Sequence, residues 1–256
     1  VVCFSLSSYF LGIPYFLFLV IFVVCPVLIL LYYAFTNGAG EFSLANFTLF
    51  FTDSKAIGTL IYSLMVAVVT TIVCLLIAYP VAYLLAKGEF RRGNVLLMLF
   101  VMPMWINFTL RITALKEILT LIEGNLAFHP FLNTVIGMTY DFLPFMILPI
   151  YNTIAKIDHS YIEAAKDLGA KSYRVFLRVI LPLSIPGIIS GITMVFLPSM
   201  TNYVVLDMMY NSTYIMGSLV GSYFSMYDWN NGSVISMILL ILILLLSTIT
   251  GEFSDS

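Results

Sequence analysis

The chain has 256 residues, of which 61% are hydrophobic and 9% charged, a net charge of −2 and a mean hydropathy of +1.05. Soluble domains carry about 25% charged residues, so this chain has too few charges to coat a globule and is too apolar to be disordered. An integral membrane protein remains, and without a basic run nucleic acid is not an expected partner. Cys3, Cys25 and Cys74 lie in apolar stretches without C-x-x-C spacing, and His129 and His159 are isolated, so no disulfide and no metal site are expected.

A bilayer core of about 30 Å takes roughly 20 apolar residues as a helix, and six stretches meet or approach that length. The first, from about Tyr9 to Phe35, contains Pro14 and Pro26 and is too long for the apolar region of a secretory signal. The second, about Ala56 to Ala86, is long enough to tilt. The third, about Val95 to Ile122, is interrupted by Pro103 and carries Arg111, Lys116 and Glu117. The fourth, about Asn133 to Ile154, holds Pro144 and Pro149; the fifth, Val179 to about Val205, holds Pro182, Pro186 and Pro198. Residues 205–232 are rich in Met, Tyr, Ser, Asn and Gly, and Thr213 to Met226 reads as a short interfacial helix, a level that suits Tyr223, Tyr227 and Trp229. The sixth stretch, Val234 to Ile249, is uninterrupted. Backbone groups in lipid must be bonded within the chain, and no strand-like alternation is visible. The expectation is an all-α integral membrane protein, one transmembrane domain over residues 1–256.

Lys87, Arg91 and Arg92 fall between the second and third stretches, and Lys156, Lys166, Lys171, Arg174 and Arg178 between the fourth and fifth. Eight of the 11 basic residues thus share one side, which the positive-inside rule makes cytoplasmic, with both termini on that side. The opposite loops, Thr36 to Lys55 and Glu123 to Leu132, hold only Lys55 as a cation.

The long basic loop, 156–178, is the most informative segment. Ser160-Tyr161-Ile162-Glu163 has the S-x-x-E spacing of a capping box, predicting a helix from Tyr161 to Leu168 with Gly169 as its left-handed stop. A helix so short is marginal by itself, and Tyr161, Ile162 and Leu168 offer the apolar contacts to hold it. Glu163-Ala164-Ala165, Gly169 four residues on, and then Val179-x-Leu181-Pro182 resemble the EAA loop of ABC importer permeases, with Val179 in place of that pattern's isoleucine. Pro103-Met104-Trp105-Ile106-Asn107 with Arg111, Leu143 to Pro149, and Leu197-Pro198-Ser199-Met200 resemble, more narrowly, the spermidine/putrescine permeases of that family.

The resemblance implies a type I permease fold of six transmembrane helices in the cell membrane and transport by alternating access. It implies that Glu163, Ala164, Ala165, Gly169, Leu181 and Pro182 form the element coupled to an ATPase. The implied partners are a homologous second permease subunit, two ATPase subunits and an external polyamine-binding protein. No cofactor is expected in this subunit, ATP and magnesium being held by the ATPase, and the chain has no G-x-x-x-x-G-K-[ST] loop to make it an enzyme.

Charges within a bilayer face a cavity or a partner, and a polycation's pathway needs separated carboxylates and aromatic faces. Asp141 and Asp207, with Trp105, Tyr140, Tyr203 and Tyr210, fit that need; Arg111 is read as an ion-pair partner or an anchor. The competing readings are an importer of another small solute, such as sulfate or thiamine, and an ATP-independent channel or carrier, which has no use for a docking loop.

Overall fold

The computed structural model describes residues 13–88, 93–209 and 213–255. Among them the backbone satisfies itself almost wholly through helices, as an apolar surrounding demands. In chain order these are α1 (Ile13–Ala34), α2 (Ala45–Thr52), α3 (Ser54–Lys87), α4 (Gly93–Val101), α5 (Phe108–Glu123), α6 (Pro130–Lys156), α7 (His159–Asp167), α8 (Ser172–Thr201), α9 (Tyr203–Met208), α10 (Met216–Ser225) and α11 (Trp229–Asp255). Helices α1, α3, α6 and α8 are each long and apolar enough to cross a bilayer. The bent pair Val95–Trp105 and Phe108–Glu123 qualifies only when taken together, and Trp229–Leu245 is a shorter apolar run within α11.

Prolines decide where these helices deviate, in two distinct ways. Helices α1 and α8 each widen into a π turn, at Val20–Val24 and Phe176–Ile180. Each turn ends two residues before a proline, Pro26 or Pro182, and the amides of Cys25 and Leu181 reach back five residues to the carbonyls of Val20 and Phe176. A proline has no amide to donate, and its ring crowds the carbonyl four residues earlier. One widened turn lets the helix absorb that defect without breaking.

At Pro103 the helix breaks instead. After the 3₁₀ turn Met102–Trp105 the chain is extended at Ile106, and α5 sets off at 98° to the preceding segment. Asn107 starts it afresh, its side-chain oxygen accepting the amides of Thr109 at 2.9 Å and Leu110 at 3.4 Å. The single helix expected over 95–122 is therefore corrected to two segments. The fifth stretch differs as well: α8 begins at Ser172, ahead of the expected Val179, and closes at Thr201, so Asp207 belongs to the separate helix α9.

The chain forms two compact units, one from Val1–Gly58 and Leu219–Leu242, the other from Thr59–Ser218 and Ile243–Ser256. In the first unit, Asn230 donates to the carbonyls of Tyr33 at 3.0 Å and Thr36 at 2.6 Å, satisfying groups that the end of α1 leaves open. Trp229 packs between Tyr33 and Phe224.

The core of the second unit is built around α6, whose Met138, Met146, Ile147, Ile150 and Ile154 are fully buried. Helix α8 lies closely on α6 because glycine stands at the contact. A β-carbon at Gly187 would sit 2.8 Å from the Pro149 carbonyl oxygen, and one at Gly191 would sit 2.6 Å from the Met146 sulfur. Small residues at such contacts let helix backbones approach where lipid supplies no hydrophobic drive.

Candidate functional site

The loop that follows α6 is organised from its first residue. Ile157 ends α6, and its carbonyl accepts the ammonium of Lys87, the last residue of α3, at 2.6 Å. Asp158 then caps α7, its carboxylate accepting the Ser160 amide at 2.9 Å. Hydrogen bonds from Ser160 hold the Asp158 carboxyl below the ordinary carboxylate range, with smaller help from His159 and Lys87. The helix runs from His159 to Asp167, so Ser160 and Glu163 both lie inside it.

The capping box expected at Ser160 and Glu163 is thus corrected. Glu163 pairs instead with the ring of His159, one turn back, at 3.1 Å. The reason is apolar. A cap at Asp158 sets Ile157 just outside the helix and Ile162 at its fourth position, and the two pack together with Val175 and Ile180. That is a hydrophobic staple. A cap at Ser160 would bring His159 against Ala164 and waste the contact.

The far end closes as the sequence predicts. Gly169 has φ +80°, its amide donating to the Lys166 carbonyl at 2.8 Å while the Ala170 amide donates to Ala165 at 3.0 Å. This pair of bonds is a Schellman stop. Of the three apolar residues expected to hold α7, only Ile162 is buried; Tyr161 is 59% exposed and Leu168 89% exposed. The helix is anchored along one face and presents an apolar face outward, with the Glu163 carboxylate exposed too. Beyond it, Phe176 sits edge-on between Tyr79 and Tyr83 of α3, and Tyr79 shares a 3.0 Å hydrogen bond with Ser184. The π turn ahead of Leu181 and Pro182 therefore forms part of the joint between loop and bundle.

The residues expected along a pathway fall into separate groups. Asp141 of α6 is buried and meets the Arg111 guanidinium of α5 at 2.6 Å. This is the ion-pair role that the sequence offered for Arg111. Asp207 and Tyr203 are exposed on α9, Tyr140 is exposed on α6, and Trp105 is 85% exposed at the break after α4. Tyr210 lies outside the described residues, as do Arg91, Arg92 and Cys3. Among the described residues no group of three or more His, Cys, Asp or Glu side chains could hold a metal ion.

Residues 78–253, well over half of the chain and including the whole of this loop, match the family described as the binding-protein-dependent transport system inner membrane component. The chain belongs to that family. It is 36% identical over 250 residues to the spermidine/putrescine transport system permease protein PotB of Haemophilus influenzae, covering 89% of this chain and 87% of that one. It is 35% identical over 216 residues to PotB of Escherichia coli K12, covering 78% of each.

Solved structures share the fold at lower identity. A chain of a bacterial alginate ABC transporter, in complex with its alginate pentasaccharide-bound periplasmic protein, matches with a TM-score of 0.77 at 12% identity, covering 98% of this chain and 94% of that one. A chain of the inward-facing MetNI methionine ABC transporter matches with a TM-score of 0.61 at 17% identity, covering 80% and 98%. The fold is that of an all-helical, multi-pass ABC importer permease. The family resemblance was carried in the sequence by the Glu163–Pro182 spacing. The Asp158 cap was missed there, although an Asp two residues before Ser160 was its visible signal.

Proposed function

We propose that this chain is half of the membrane pathway of an ATP-driven importer of polyamines, with α7 as the element that docks on an ATPase subunit. The observation that carries the docking reading is the division of α7: Ile162 is buried in its own fold while Tyr161, Leu168 and the Glu163 carboxylate are exposed. A membrane protein that only needed to reconnect two spans would gain nothing from keeping a capped, stapled helix with an open apolar face. On this reading both termini and the basic loop are cytoplasmic, and ATP and magnesium belong to the partner. The assembly is completed by a second permease subunit like PotC, two ATPase subunits like PotA and an external binding protein like PotD.

The polyamine assignment is supported by the substrate in the names of relatives about 35% identical over most of the chain, and by the chemistry left open. Asp207 offers an exposed carboxylate, and Trp105, Tyr140 and Tyr203 offer exposed rings, the groups a flexible polycation uses. Arg111, the cation that an anionic solute would seek, is committed to Asp141.

ATP binding to the ATPase pair would draw the docked α7 with it, and the Lys87–Ile157 and Phe176 joints would pass that movement to α3 and α8. Nucleotide and solute shift the balance of inward and outward states only by their differential affinity for each. The test is ATP hydrolysis by the assembled complex in lipid vesicles. Spermidine or putrescine, presented with the binding protein, should stimulate it, and sulfate and thiamine should not. Stimulation by an anion alone would overturn the substrate, and uptake without any ATPase subunit would overturn the class.

A further inference from the structure

The first unit contains a cleft of about 340 Å³, lined by α2, the start of α3, α10 and the start of α11. Small-molecule sites begin at about this size. Its polar lining is informative because most of its donors are already used. The Asn46 amide nitrogen donates to the Thr36 carbonyl at 2.9 Å, and the Asn231 amide nitrogen donates to the Asp228 carboxylate at 2.8 Å. Each amide is left with its oxygen, and among the described residues neither oxygen accepts a bond. Asp53 gives one carboxylate oxygen to the Lys55 amide at 2.9 Å, capping α3, and makes no ion pair among the described residues. Lys55 makes no ion pair among the described residues.

Phe50 and Tyr223 complete the cleft with aromatic rings. Burial, followed by the nearby Asp53 and Asp228 carboxylates, pushes the Tyr223 phenol above its usual range. Asp53 lines the same cleft as this ring. A space that offers one lining carboxylate, two amide oxygens and two rings asks for a compact cation rich in N–H bonds and carried on an apolar stem. Calcium takes six to eight oxygen ligands, more than this lining offers, and no cluster of acidic side chains large enough for a metal stands among the described residues.

We propose that this cleft binds a primary alkylammonium group, its three N–H bonds directed to Asp53, Asn46 and Asn231 and its alkyl stem packed on Phe50 and Tyr223. The inference rests on the lining alone and holds whichever solute the pathway carries. The ammonium belongs either to a free diamine or to a lysine side chain of a protein that docks here.

The experiment is calorimetric titration of the full assembly in lipid nanodiscs at low ionic strength, with butylamine as probe and butanol as its neutral counterpart. Butylamine should bind and butanol should not. Asp53→Asn keeps the cap acceptor on α3 and removes only the charge, so it should weaken butylamine at least tenfold. Tyr223→Leu, several-fold weaker, provides a second variant should the first fail to fold. Glu41→Gln, which alters an exposed carboxylate of the same unit outside the cleft lining, should leave butylamine binding unchanged. Putrescine and N-acetyl-lysine methylamide then distinguish the sources: tighter binding of the first assigns the cleft to a free diamine, of the second to a side chain. The proposal is overturned if Asp53→Asn and Tyr223→Leu both bind within twofold of the parent, if butanol binds as well as butylamine, or if Glu41→Gln abolishes the signal.

Discussion

The loop from Ile157 to Lys171 and the Arg111–Asp141 pair are the polar features on which most of this account turns, and they are built on opposite terms. In the loop, partners are local: Asp158 to Ser160, His159 to Glu163, Gly169 to Lys166, with one apolar staple and one bond from Lys87. The charges there stay in water, and an apolar surface is left over. In the pair, residues 30 apart in sequence meet inside the bundle, both side chains under a tenth exposed, and the two charges answer each other while Arg111 Nε and Nη1 make no further bond. Charges kept exposed are available to a partner, whereas these two buried charges are occupied with each other. Charge count alone does not mark a pathway. What matters is which charges have already been answered.

The largest effect should come from dividing the buried pair. Arg111→Ala or Asp141→Ala strands one charge in an apolar setting, a loss of about 3–5 kcal/mol. The double change Arg111→Met with Asp141→Leu should recover most of it, read as thermal stability in detergent. If that double variant folds and still takes up substrate with an unchanged half-saturation concentration, the pair is structural and the contrast with the loop stands. A loss of substrate affinity at full stability would break the contrast.

Next in size is Gly169→Val. A residue with a β-carbon at φ +80° costs roughly 1–2 kcal/mol, so the Schellman stop should open and misdirect the chain entering α8. Global stability should fall little, while coupling between solute and ATP hydrolysis should fall sharply.

Smallest, and most diagnostic, is the cap. Asp158→Ala should fray the start of α7, seen as faster hydrogen exchange at the Ser160 amide, and Ser160→Ala should not. The pH dependence follows from the same contact. The folded Asp158 carboxyl is held below its unfolded value, so its contribution is complete above about pH 4 and is lost as pH falls through the lower folded value. Ser160 protection should therefore persist from neutral pH down past the range where an ordinary Asp protonates. Equal fraying in both alanine variants would return the cap to Ser160.

These cases also show how far the sequence could be read. Four of the six apolar stretches were legible as single long helices because lipid imposes length and composition on each segment separately. Gly169 was legible because a left-handed stop is a property of one residue and its neighbours. The cap was not: S-x-x-E at Ser160 and D-x-S at Asp158 are both good local patterns, and the choice between them rests on Ile157 reaching Ile162, Val175 and Ile180 in the folded loop. Likewise Pro26, Pro182 and Pro103 look alike in sequence. The first two are absorbed by π turns and the third breaks its helix where Asn107 supplies a new cap. Which carboxylate would meet Arg111 was not legible for the same reason, because pairing with Asp141 across two helices leaves no trace in either segment.

The central claim, that the exposed face of α7 is the docking surface and the buried face only its anchor, is tested most directly by co-purification of the ATPase subunit with Leu168→Glu. Leu168 is almost fully exposed, so the variant should keep the parent's thermal stability while losing the ATPase subunit and, with it, solute-stimulated hydrolysis. A stable Leu168→Glu that still binds the ATPase subunit and responds to solute as the parent does would contradict the account.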